Sequence, residues 1–113
     1  MKWYKKVWGW EEVITNSEKY CGKILHLDKG YRCSLHYHKL KDETFYILKG
    51  KVLMRTSGKK IVMEKGDPVH ILPGMKHSFA GLEDSKILEI STQHFEDDSY
   101  RDNESGVYDE ENF

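Results

Sequence analysis

The chain has 113 residues, 38% of them hydrophobic and 33% charged, with seven Tyr, four Phe and three Trp; this fits one compact domain and excludes a disordered chain or separate cofactor and substrate lobes. The formal net charge is −1, from 18 basic and 19 acidic side chains, so no overall field draws the protein to nucleic acid or to an acidic membrane surface. Cys21 and Cys33 make neither a disulfide framework nor a CxxC pair, and no stretch has signal-peptide or membrane-span length, so the expected setting is the cytoplasm.

Along the chain, residues 10–18, flanked by Gly9 and Thr15-Asn16-Ser17, are predicted as a short N-terminal helix. Turn signals then recur at Asp28-Lys29-Gly30, Lys49-Gly50, Ser57-Gly58, Lys65-Gly66-Asp67-Pro68, Pro73-Gly74 and Glu83-Asp84-Ser85. The segments between them, residues 23–27, 32–38, 43–48, 51–56, 60–64, 68–72, 77–80 and 86–93, are short and rich in β-branched or aromatic residues, and each is expected as a strand. Eight closely spaced strands imply an all-β barrel or sandwich. Residues 1–22 are read as a segment packed on the barrel, 23–95 as the barrel itself and 96–113 as a partly flexible acidic segment. That last stretch holds eight acids against one base, Arg101, and residues 103–113 are read as a tail. Trp3, Trp8 and Trp10 are expected to be buried against the barrel or across a homodimer interface.

The chemistry concentrates in the second and third predicted strands. His36 and His38 are two residues apart, so in a strand both imidazoles point to one face, shared with Ser34 and Arg32. Glu43 opens the next strand, and a tight connection through Lys39-Leu40-Lys41-Asp42 would place it beside the first. His77, after the Pro73-Gly74 turn, can close the site from a neighbouring strand. Neutral imidazoles with one carboxylate suit a divalent Mn, Fe, Co, Ni, Cu or Zn ion. Phe45 is expected inside near this site and Tyr46 outside it, whereas His26, His70 and His94 are read as structural or surface residues.

Gly30-x5-His36-x-His38-x4-Glu43-x6-Gly50 resembles the first motif of the cupin superfamily at every fixed position. Gly66, Gly74 and His77 resemble the second motif, although Leu72 stands where proline is usual and Gly81 where asparagine is common. The resemblance implies a double-stranded β-helix, or jelly roll, with a metal held by His36, His38, Glu43 and His77 and open positions left for water or substrate.

The flanks, Trp8-Gly9-Trp10-Glu11, Tyr20-Cys21-Gly22-Lys23 and residues 91–102, resemble small cupins related to mannose-6-phosphate isomerase and the cupin-type ketol-isomerases. That resemblance implies a metal-dependent aldose–ketose isomerase acting on a sugar or sugar phosphate. Such an enzyme needs a base, and Glu89 is the candidate if it shares an inward polar face with Ser91 and Gln93; in the other register Leu88 and Ile90 face the core and Glu89 faces solvent. Arg32, Lys76 and Gln93 are the candidate substrate contacts. An Fe(II) dioxygenase and a non-catalytic sugar-binding or sensor module are the alternatives.

Overall fold

Alternation of inward and outward side chains builds the whole molecule, a computed structural model that describes residues 2–113. In chain order the strands are β1 (Lys2–Lys6), β2 (Gly9–Asn16), β3 (Cys21–Leu27), β4 (Tyr31–Arg32), β5 (His36–Tyr37), β6 (Glu43–Lys49) and β7 (Lys51–Thr56). They continue as β8 (Lys59–Glu64), β9 (Pro68–Ile71), β10 (His77–Gly81), β11 (Ser85–Ser91), β12 (Tyr100–Arg101) and β13 (Gly106–Val107). One antiparallel sheet has the order β1-β2-β3-β11-β6-β9. In the other, β10 pairs along one edge with β7, which pairs with β8, and along its other edge with β4 and β5. The outer edges of β4 and β5 carry β13 and β12. The arrangement fits a jelly-roll β-sandwich.

The core lies between the sheets. Leu25, Ile87 and Ile47 form one inward row across β3, β11 and β6, and they meet Met54, Val52 and Phe79 of the other sheet. Toward one end the inward rows turn polar. Lys23, Glu89 and Phe45 form the next row, and Cys21, Ser91 and Glu43 the one after it. All of these are buried, so the apolar half supplies most of the stability and the polar half frames a site.

The expected N-terminal helix is absent; residues 9–16 are strand β2, and no helix occurs among the described residues. Trp10, Val13, Ile14 and Thr15 favour a pleated surface, and β2 gains ladder bonds from both β1 and β3. A bulge between Val13 and Thr15 breaks the alternation that would have marked it as a strand. The expected strand 32–38 is likewise two strands, β4 and β5. Between them the Ser34 and Leu35 amides donate to Ser105 Oγ and Asn103 Oδ1, which take the place of ladder bonds. Residues 103–113, read from sequence as a tail, include β13 on β4 and a buried Phe113. Trp8 is buried against Phe79, whereas Trp3 is 59% exposed and meets Trp10 edge-on.

Candidate metal centre and its cavity

Three imidazoles converge at the polar end of the sandwich. His36 and His77 are direct partners across β5 and β10, and His38 follows on the same side as His36. Their ring nitrogens lie within 4.8 Å of one another, a group that can hold a metal ion. Glu43 arrives from the facing sheet: β5 and β6 are not neighbours, as the short connection had suggested, but the carboxylate still reaches the centre. Its Oε2 is 3.3 Å from His38 Nε2 and 3.4 Å from His77 Nε2.

Each imidazole is oriented from behind by a main-chain carbonyl. Nδ1 of His36, His38 and His77 lies 2.7, 2.8 and 3.0 Å from the oxygens of Ser34, Asp98 and Met75. A carbonyl only accepts, so each Nδ1 donates and the neutral ring turns a lone pair outward from Nε2. Burial keeps all three rings neutral by pushing their pKa values below the ordinary range, to about 4 for His38. Burial also drives the Glu43 carboxyl up to about 8, and the nearby Glu89 carboxylate adds to the shift.

Both Glu43 oxygens and His77 Nε2 are buried without a hydrogen-bond partner. A carboxyl and an imidazole nitrogen left without hydrogen bonds are costly to bury, and a cation at the point of convergence removes that cost. Three neutral nitrogens and one carboxylate oxygen therefore fit a divalent first-row transition metal.

The loop that carries Glu43 into place is held from the C-terminal segment. Asp98 is buried, and its carboxylate accepts the amides of Lys39, Leu40 and Lys41 at 2.9–3.2 Å. Its carbonyl is also the acceptor for His38, so one residue orients a ligand histidine and the turn between the two halves of the motif. Nothing in the local sequence marks Asp98 among its acidic neighbours.

A cavity of ≈ 510 Å³ opens onto His36, His38 and Glu43. Trp8, Leu25, Phe45 and Phe79 supply apolar lining, and Lys23, Lys41, Glu89, His94 and Arg101 supply polar lining. Phe45 is inside, its ring centroid 5.8 Å from that of His77, and Tyr46 is exposed. Glu89 is buried on the inward face with Ser91, the register in which it faces the cavity. Lys41 Nζ lies 3.1 Å from Glu89 Oε2, 3.7 Å from Glu43 Oε1 and 3.2 Å from His94 Nδ1. Burial opposes the charge on Lys41, but the Glu89 and Glu43 carboxylates outweigh it and hold the ammonium's pKa above the ordinary lysine value. Burial also opposes ionisation of Glu89, and Lys41 and Lys23 overcome it, so this pair is charged.

The other sequence candidates lie elsewhere. Arg32 Nη1 donates to the Glu104 carbonyl at 2.7 Å, and Lys76 pairs with Asp102 at 2.6 Å near the surface. Gln93 follows the end of β11, two residues short of the expected strand end. None of the three lines the cavity. The cavity lysines went unassigned from sequence, although Lys23 shares the parity of Leu25 and Leu27 and was legible as inward-facing.

The Cupin domain family model matches residues 23–91. The chain belongs to the cupin family. A 51-residue stretch of this cupin is 41% identical to Quercetin 2,3-dioxygenase of Bacillus subtilis (strain 168), covering 45% of this chain and 15% of that protein. A 53-residue stretch is 34% identical to an uncharacterised protein of Methanocaldococcus jannaschii, covering 47% of this chain and 42% of the other. The cupin thus spans less than half the length of either curated relative. Among solved structures, KdgF from Halomonas sp. superposes with a TM-score of 0.79 at 18% identity, covering 86% of this chain and 90% of that one. Pac13, a nucleoside dehydratase of Streptomyces, superposes with a TM-score of 0.79 at 9% identity over 91% of this chain and 85% of its own. Identities this low speak to the fold alone.

Proposed function

We propose that this cupin is a metal-dependent sugar or sugar-phosphate isomerase of the mannose-6-phosphate isomerase-like group, interconverting an aldose and a ketose. In this reading His36, His38, Glu43 and His77 hold one divalent ion, Mn, Fe, Co, Ni or Zn. The observation that carries the reading is the polar end of the cavity, where the ionised Glu89 sits beside the Lys41 ammonium within the same lining as His36 and His38. A wet, charged interior suits a polyol and an ionic proton transfer.

When bound, the ion supplies Lewis-acid polarisation of the substrate carbonyl and an anchor for its adjacent oxygen. Glu89 takes the proton from the carbon beside that carbonyl and returns it to the former carbonyl carbon, while the proton of the adjacent hydroxyl passes to the former carbonyl oxygen. Lys41 holds the Glu89 carboxylate in place and ionised at 3.1 Å. Phe45, Phe79 and Trp8 offer apolar surface to the C–H face of the sugar and limit water in the cavity. Arg32, Lys76 and Gln93, expected from sequence as substrate contacts, lie outside the lining. The reading includes a cytoplasmic homodimer; exposed Trp3, Ile14 and Ile90 on the first sheet support the dimer, and sedimentation equilibrium tests it.

The test of the reaction is proton exchange. Protein loaded separately with each ion is incubated in D2O with aldoses, ketoses and their phosphates, and chelator is added before NMR. Deuterium at C2 of one sugar, lost in Glu89→Gln, is the expected result. No exchange with any ion overturns the isomerase. The identity with Quercetin 2,3-dioxygenase favours a second reading, an Fe(II) dioxygenase of a small substrate, and oxygen consumption by the iron-loaded protein tests it.

A further inference from the structure

The short strand β12 sets Arg101 opposite His36, so the C-terminal segment brings a guanidinium to the lining of the metal cavity. Nη1 of Arg101 donates to Ser34 Oγ at 2.7 Å, and Ser34 is fully buried. The Ser34 amide in turn donates to Ser105 Oγ at 3.0 Å, so the anchor belongs to the buried link between β4 and β5. Only Nη1 finds an acceptor among the described residues, and no carboxylate there lies within ion-pair distance of the guanidinium. The rest of the fork is open.

Charge balance in the cavity points the same way. Five lysine or arginine and five glutamate side chains line it. Lys6 and Lys23 are engaged by Glu11, and Lys41 by Glu43 and Glu89. A divalent ion on the three imidazoles and Glu43 leaves the cavity with an excess of positive charge, and of the lining cations Lys5 and Arg101 have no carboxylate within ion-pair distance among the described residues, Arg101 being the one set beside His36. Arginine presents parallel N–H groups that match the paired oxygens of a carboxylate or phosphate.

We propose that Arg101 is the anion-binding residue of this cavity and that the substrate is a sugar carrying a carboxylate or a phosphate, not a neutral sugar. The sugar rests on the isomerase reading, whereas the anion rests on the open guanidinium. Arg32 and Lys76 both lie outside the lining, and Lys76 is paired with Asp102.

Isothermal titration of the Zn-loaded protein tests the proposal without turnover, using glucuronate, mannose 6-phosphate and neutral mannose as probes. One of the two anionic sugars is expected to bind at least about tenfold tighter than mannose. Arg101→Gln should lose that preference and keep the affinity for mannose, and Arg101→Lys should keep part of it. Arg55→Gln, on β7 and outside the lining, should behave as wild type. The probe whose affinity falls more in Arg101→Gln distinguishes carboxylate from phosphate. Equal binding of all three probes to wild type, no binding of either anion, or a preference that survives Arg101→Gln overturns the proposal. Anion binding without deuterium exchange overturns the isomerase and leaves Arg101 in its role, and exchange of a neutral sugar without anion preference does the reverse.

Discussion

The Glu43 carboxyl has both oxygens buried without a hydrogen bond, set against the Nε2 atoms of His38 and His77, with the Lys41 ammonium 3.7 Å from Oε1. Such a group destabilises the metal-free fold and becomes favourable once a cation shares it. Glu43→Gln is therefore expected to melt, without metal, at the same temperature as wild type or higher, and to lose most of the rise that added metal gives. Calorimetry with and without metal checks this, and a metal-free variant far less stable than wild type would contradict it. Cys33 offers a second test at this scale. Burial pushes its thiol up to about 11, so the thiolate that reacts with disulfide reagents is scarce at neutral pH. An aromatic disulfide reagent at pH 8 should leave Cys33 unmodified until the chain unfolds; labelling of the folded protein within minutes would contradict the assigned burial.

At the scale of the elements, the glycines of the first motif separate conformation from space. Gly30 and Gly50 both have positive φ, 85° and 89°. A Cβ on Gly30 meets nothing within 4 Å, but one on Gly50 would stand 2.2 Å from Ser85 Oγ and 2.5 Å from the Asp84 carbonyl. Gly30→Ala should cost about 1 kcal/mol of left-handed strain, and Gly50→Ala about 3 kcal/mol or more, because the β6–β7 turn must move away from β11. Urea denaturation of both variants checks the ordering. Asp98→Ala removes the acceptor for three loop amides and should cost about 2–4 kcal/mol and weaken metal binding through the released loop. The motif strands were legible because inward parity and turn residues agree there, which placed His36, His38 and Glu43 on converging faces. Strand β2 is not legible as a strand because its bulge shifts the parity midway, and its extended form comes from pairing with β1 and β3. Asp98, Arg101 and Asn103 were not legible as site residues, because their partners lie 57 to 68 positions away in the chain.

For the whole molecule, an ion held at this centre would couple to folding, since the four side chains converge only when the two sheets face each other. An ion present at a hundred times its dissociation constant stabilises the folded state by about 2.7 kcal/mol, which for a chain this size raises the melting temperature by on the order of 10 °C. Chelator should reverse that rise.

The most direct measurement is metal content per chain, by plasma mass spectrometry, for wild type and His36→Ala/His38→Ala after incubation with Mn, Fe, Co, Ni and Zn and dialysis. The centre described here predicts one tightly held ion per wild-type chain and none in a folded double variant. Full occupancy in the double variant, or an empty wild type with every ion, would contradict it.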